Sequence, residues 1–323
     1  MHPTVHNSVY IHTSVSVASP RLACMSLSSP ACLHVYQSAV RQHQAQQHPA
    51  VLVLLPGLGG NGLSFPASFV RALSACVHAV IAVTYPTPPA TRAAHVAADV
   101  WHALGAILGP ESPLVLVGYS MGGFIVQEML AARHEHGQCP VVGAVLLSTA
   151  IPQVGTIPVP VPELLASVGR SQTSPLRGLF PSTWIASLTA PQIRALTKLV
   201  AEGRLPRRVR NAQLHVVAEF LLHPRPDSSA VDGDTDVPLL CLHGALDTVL
   251  TLAAMEQAVQ KRPLNKTLVV FPDAGHGLLF QHEAAVVDTI VQWVATAGMA
   301  DHGPPDLFFR AAPHVTVVWS LLE

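Results

Sequence analysis

Short, mostly apolar runs recur along the chain, separated by stretches whose apolar residues fall three and four apart. The runs are Ala50–Pro56 (AVLVLLP), Val77–Val83, Leu114–Val117, Val141–Leu147, Pro238–Leu242 and Lys266–Phe271. Each has strand length, and most lack the alternation of a half-exposed strand. They predict strands covered on both faces. Between them the period is helical. Phe65, Phe69 and Leu73 share a face after Ser64, a candidate cap. Val96, Val100 and Leu104 do so within Thr91–Leu108. Phe124, Ile125 and Met129 follow Ser120, with Gln127 and Glu128 expected to turn outward, and Leu278–Trp293 closes the series. Strand alternating with helix predicts an α/β fold, a mostly parallel sheet flanked by helices on both faces.

The rhythm breaks after Ser148. Ile151–Pro162 is Pro-rich, and no apolar strand follows before about Pro226. Helices are expected there, at Thr189–Glu202 (Ile193, Leu196, Val200) and Asn211–Leu222 (Leu214, Val217, Ala218, Leu221). A helical insertion of this kind predicts a cap over the carboxyl edge of the sheet, where open α/β sheets bind ligands. The expected organisation is a core of 50–150 and 237–298, a helical cap of 151–236, an N-terminal extension of 1–49 and a C-terminal tail of 299–323. The extension is Ser-, His- and Gln-rich, with a candidate edge strand at Ala31–Ala39. The tail is expected to be an appendage ending in VTVVW.

Composition narrows the function classes. The 323 residues are 50% hydrophobic, enough for a large core, and only 11% charged with a formal net charge of −1. No basic footprint for nucleic acid is present. Five cysteines without C-x-x-C spacing imply neither a disulfide framework nor a zinc site and favour a reducing, intracellular compartment. No acidic residue precedes Asp99, as in a transit peptide, but Arg21 is the only arginine before residue 40. Val51–Val70 carries no charge, yet PGLGGNG interrupts it, so no transmembrane helix is expected. Asp232, Asp234 and Asp236 begin like a calcium loop, but Val237 replaces the turn glycine, and that site is rejected. Four arginines crowd Gly203–Arg210 (Arg204, Arg207, Arg208, Arg210). A solvated helix start explains them most simply, attraction of an anionic substrate or a membrane surface being the alternative.

The candidate chemistry starts at Gly118-Tyr119-Ser120-Met121-Gly122. An apolar strand precedes it and a helix follows, which is the setting of a G-x-S-x-G nucleophile elbow. By chance this spacing arises in about one chain in ten of this length, so the flanking elements carry the assignment. The glycine-rich loop Gly57–Gly62 has neither P-loop nor dinucleotide-binding spacing. It suits close backbone approach to a substrate oxygen. The backbone N–H groups of Leu58 and Met121 are the expected oxyanion donors. A serine hydroxyl needs a base, and the base an orienting acid. His276 and Asp247 stand just past the last two predicted core strands. Their rivals are His243 and Asp273, which look better suited to packing and to a turn.

The stretches Leu54–Asn61 (LLPGLGGN), Val117–Phe124 (VGYSMGGF), Leu242–Val249 (LHGALDTV) and Pro272–Phe280 (PDAGHGLLF) resemble the α/β-hydrolase fold superfamily. The order Ser120, Asp247, His276 is the one that superfamily uses. The resemblance implies a serine hydrolase that cleaves a small-molecule carboxylic ester through an acyl-enzyme on Ser120, with a small or lipid-like acyl group and with neither cofactor nor metal. C–C bond hydrolases, lyases and aminopeptidases on the same triad stay open, as does a binding protein that kept the fold without turnover. Two departures stand out. Pro56-Gly57 replaces the frequent His-Gly, and Tyr85–Pro89 replaces an acidic Gly-rich loop. Serine at the elbow, and no tyrosine in Ile151–Asp236, point away from epoxide hydrolases.

Overall fold

The computed structural model describes residues 31–38, 48–85, 92–136, 139–151, 175–202, 204–222, 237–261, 266–296 and 315–322. Those residues build one eight-stranded sheet with helices on both faces. The strands are β1 (Ala31–Ser38), β2 (His48–Leu55), β3 (Val77–Thr84), β4 (Leu114–Tyr119), β5 (Val141–Leu147), β6 (Leu239–Gly244), β7 (Lys266–Phe271) and β8 (Val315–Leu322), in the order β7-β6-β5-β4-β2-β3-β1-β8. All neighbouring pairs are parallel except β1 with β3.

Two expectations at the ends of the chain change. The N-terminal run does form β1, but it is not at the edge. Residues Val315–Leu322 pair with it in parallel and take the edge position, so the C-terminal run extends the sheet. Pairing satisfies the backbone groups that an open β1 edge would have exposed.

The unbroken apolar runs follow from burial on both faces. Along β2, Val51, Val53 and Leu55 enter one core cluster, and Ala50, Leu52 and Leu54 the other. Leu114 and Leu116 of β4 join the first, Val115 and Val117 the second. Helices α1 (Ala67–Cys76), α2 (Ala93–Gly105), α3 (Met121–Ala131) and α4 (Arg133–His136) precede β5. Ser64 does not cap α1. Asn61 caps a short 3₁₀ turn, Gly62–Ser64, in a capping box with Ser64, and α1 starts after Pro66. Gln127 and Glu128, expected outside, are buried. The reason is that α3 has no solvent face. Trp101 of α2 donates its indole N–H to the Met129 carbonyl at 3.1 Å, and Gln127 donates to the Gly123 and Ala150 carbonyls.

Between β5 and β6 stand α5 (Pro175–Leu179), α6 (Ser182–Ser187), α7 (Ala190–Glu202) and α8 (Arg207–Leu222). Leu176, Phe180 and Leu196 form a small core of their own, which also packs on Ile193, Val200 and Phe280. α8 begins earlier than expected, so its buried stripe is Val209, Gln213, Val216, Val217, Phe220 and Leu221. Phe220 stacks on Phe124 with ring centroids 4.7 Å apart, which docks α8 on α3. The closing pattern splits at His282 into α10 (Leu278–Gln281) and α11 (Glu283–Thr296), after α9 (Leu252–Lys261). The Pro-rich run after Ile151, the acidic stretch 227–236 and the N-terminal 30 residues lie outside the described residues. Among the described residues no helix is long and apolar enough to cross a membrane.

Candidate active site

Four carboxyl-terminal loops of the sheet converge on Ser120. The serine follows β4 directly and opens α3, with φ 53° and ψ −118°. A non-glycine residue in that region is strained and persists only where its surroundings hold it. Here Ser120 N–H donates to the Leu147 carbonyl (2.9 Å), while its carbonyl accepts from Gly123 N–H (2.9 Å) and the Thr149 hydroxyl (2.8 Å). The side chain is thereby lifted clear of the sheet, and Ser120 remains half-buried, within reach of a ligand.

The loop after β6 places Asp247 and the loop after β7 places His276; each residue is 5% exposed. His276 Nε2 is 2.9 Å from Ser120 Oγ, and Nδ1–H donates to Asp247 Oδ2 at 2.8 Å. The other carboxylate oxygen, Oδ1, accepts the backbone N–H groups of Val249 (2.8 Å) and Leu250 (3.0 Å). Both oxygens are thus engaged, and the imidazole tautomer follows. With Nδ1 protonated toward the carboxylate, the Nε2 lone pair faces the serine hydroxyl. Such a chain can take a proton from Oγ as the oxygen attacks an electrophile.

The glycines around His276 serve close packing more than loop freedom. A Cβ on Gly277 would lie 2.2 Å from the Phe180 ring, and one on Gly275 2.8 Å from Pro181. Gly277 N–H donates to the Leu179 carbonyl, and the Tyr119 hydroxyl donates to the His276 carbonyl at 3.0 Å. Burial raises the Tyr119 phenol far above its ordinary pKa, with the Asp247 charge adding to the effect, so it stays a neutral donor.

The two rivals sit elsewhere. His243 is fully buried, donates Nε2–H to the Leu250 carbonyl at 2.8 Å, and stands 3.7 Å from Asp247 Oδ2. Burial lowers its pKa, opposed only in part by Asp247. It ties down the Asp247 loop as a neutral ring. Asp273 pairs with His282 at 3.0 Å on the surface.

The Gly57–Gly60 loop meets the elbow from β2. A Cβ on Gly57 would lie 3.1 Å from the Ser120 Cβ, so backbone and serine approach closely. Neither the Leu58 nor the Met121 N–H is engaged by another group among the described residues. Partners that local sequence patterns did not reveal hold this loop. The Tyr85 hydroxyl, buried and pushed well above its ordinary pKa by that burial, donates to the Pro56 carbonyl at 3.0 Å. The two departures noted in the sequence therefore meet through Tyr85, while Pro86–Pro89 lie outside the described residues. Gly59, at φ +77°, gives its N–H to Gln213 Oε1 (2.7 Å) and accepts from Leu205 N–H (2.8 Å). A polar residue on the buried stripe of α8 was the one signal that could have flagged Gln213. Tyr85→Phe should leave the Pro56 carbonyl without a partner and lower stability by about 1–3 kcal/mol, measurable by urea unfolding. An unchanged midpoint would mean that water or a shifted loop replaces the bond.

A family model described as the alpha/beta hydrolase family matches residues 52–289, most of the chain. The chain belongs to that family. Similar solved structures share the fold. An esterase from Exiguobacterium antarcticum is 17% identical, with 84% of this chain and 100% of that one covered and a TM-score of 0.60. A monoacylglycerol lipase from Paleococcus ferrophilus is 16% identical, with 82% and 98% covered and a TM-score of 0.55. A bromoperoxidase from Bacillus anthracis is 16% identical, with 81% and 94% covered and a TM-score of 0.58. Comparison with curated proteins gives no match. Membership in the alpha/beta hydrolase family supports a hydrolase, and the four loops that carry its expected site residues all fall within the matched span or its flanking turns.

Proposed function

We propose that this alpha/beta hydrolase cleaves carboxylic esters through an acyl-enzyme on Ser120. The observation that carries the proposal is the hydrogen-bonded chain Ser120 Oγ–His276–Asp247, at 2.9 and 2.8 Å. Ser120 Oγ bonds to the ester carbonyl carbon while its proton passes to His276 Nε2. Asp247 stabilises the imidazolium and keeps its orientation. The oxyanion forms against the N–H groups of Leu58 and Met121. As the tetrahedral intermediate collapses, the C–O bond to the alcohol breaks and the alcohol leaves with the proton from Nε2. Water then attacks the acyl-enzyme, giving its proton to Nε2, and the acid departs as the proton returns to Ser120.

The helices α5–α8 are proposed as a cap, with 151–236 as the inserted unit and 50–150 and 237–298 as the core. Two contacts support this. The small core of α5–α7 reaches Phe280, next to the His276 loop, and α8 holds Gly59. No residue of the proposed mechanism requires a cofactor or metal.

A fluorophosphonate probe tests the nucleophile without a chosen substrate. Wild type should be labelled and Ser120→Ala should not, both remaining folded by circular dichroism. A folded wild type that resists labelling would overturn the reading. If labelling succeeds, an ester series against amide and C–C substrates decides the reaction type.

A further inference from the structure

The arginine run before α8 divides into two kinds of residue once folded. Arg207 and Arg208 are exposed. Arg210 is half-buried and lies across the Gly57–Gly60 loop: its Cδ and Cγ come within 2.7 and 3.0 Å of where a Cβ on Gly59 would be. Its Nε is buried and has no acceptor among the described residues. One turn further along the same face, Gln213 is only 2% exposed. Its Oε1 is held by Gly59 N–H, which fixes the amide, and its Nε2 is also buried, again without an acceptor among the described residues. Two buried donors one helical turn apart, both against the loop that carries Leu58, face no acceptor among the described residues. Buried donors are rarely left so in folded proteins, because each forfeits its bonds to water.

Positive charge also gathers here. The first turn of α8 holds three arginines and no acid, at the positive end of a 16-residue helix, where cations are disfavoured. The one acid of α8, Glu219, pairs with Arg92 at 3.7 Å. Arg204 has its pKa lowered by burial and by the charge of Arg210. An anion placed between Arg210 and Gln213 would satisfy both donors and offset this potential together.

We infer that Arg210 and Gln213 form an anion-recognition site beside the oxyanion loop, and that the ester cleaved carries a carboxylate within reach of it. This rests on the ester-hydrolase reading and deepens it: to the small or lipid-like acyl ester expected from the sequence it adds a negative charge on one half of the ester. The carboxylate could belong to the acyl half, as in a half-ester of a dicarboxylic acid, or to the alcohol half, as in an ester of a hydroxy acid.

The test compares kcat/KM for both kinds of anionic ester with that for their neutral methyl-capped counterparts. In wild type, one anionic ester should exceed its neutral counterpart by about tenfold or more, and which one does so identifies the half that carries the charge. Arg210→Met should lower that ratio at least about tenfold, and Arg210→Lys should restore part of it. Gln213→Glu keeps an acceptor for Gly59 N–H but exchanges the donor for a negative oxygen, so the ratio should fall there too. A role limited to bracing the loop would move both esters alike and leave the ratio unchanged, which would overturn the inference. Should no ester turn over, calorimetry with free glutarate decides the matter separately from the serine chemistry. Binding weakened at least about fivefold in Arg210→Met supports the site, and absent or equal binding sinks it.

Discussion

Asp247→Asn should cut kcat by about 10⁴ while leaving the protein folded. The loop geometry makes the direction specific. Oδ1 accepts two backbone N–H groups, from Val249 and Leu250, so the asparagine must keep its carbonyl oxygen there. The amide nitrogen is then forced into the position of Oδ2, 2.8 Å from His276 Nδ1. Two donors cannot share that contact, so the imidazole takes the other tautomer, with its proton on Nε2. Nε2 then faces Ser120 as a donor and cannot take the hydroxyl proton. Asp247→Ala should also be slow, but for an added reason: it frees the Val249 and Leu250 N–H groups and loosens the loop. The two variants are separable by thermal melting, with asparagine near wild type and alanine lower. An asparagine variant with more than about a tenth of wild-type kcat would place the orienting acid elsewhere. His243, 3.7 Å from Oδ2, cannot substitute for the lost carboxylate, since an imidazole is neutral or positive and its Nε2–H is committed to the Leu250 carbonyl.

The parts of this candidate site that are legible in the sequence are those fixed by one strand end each. Ser120, Asp247 and His276 lie within a few residues of β4, β6 and β7, and parallel strands deliver such positions to one edge. What was not legible depends on contacts between distant segments. Gln127 and Glu128 follow a helical polar pattern, and only the packing of α2 and α8 around α3 buries them. Gln213 lies 154 residues from Gly59, and Tyr85 lies 29 from Pro56, so no local pattern announces either bond. The helix α8 begins at Arg207 rather than at Asn211, because its arginine-rich first turn carries too few apolar residues to show a helical period. The pairing of the tail is hidden for a similar reason: VTVVW is too short to imply a partner, and β1, which it pairs with, is itself an isolated run.

Gly122→Ala should be severely damaging, although it adds one methyl, no charge and little volume. A Cβ there would fall 2.0 Å from the Leu55 carbonyl oxygen and 2.9 Å from that of Pro56. Both are backbone atoms at the end of the central strand β2, in a row buried on both faces, and neither can rotate away. Gly118 is locked in turn, since its Cβ would meet the Gly122 carbonyl at 2.5 Å. The elbow is therefore a three-layer stack of backbone, with β2, β4 and α3 in mutual contact, and the strain at Ser120 is held by that stack. Relieving the clash means displacing α3 from β2, which should cost more than about 4 kcal/mol, out of a total stability of about 5–15 kcal/mol. The expected result is poor soluble yield, or a melting temperature at least about 8 °C below wild type with no fluorophosphonate labelling. Gly57→Ala is the informative contrast. Its nearest neighbours are the Ser120 Cβ at 3.1 Å and the Tyr119 ring at 3.2 Å, contacts that shifts of a few tenths of an ångström can relieve. It should fold and melt close to wild type but label more slowly, because the displaced atom is the one that carries the nucleophile. A Gly122→Ala protein that melts and labels like wild type would show that β2 and the elbow are not packed backbone to backbone. The close approach of the Gly57 loop to the serine would then lose its structural basis.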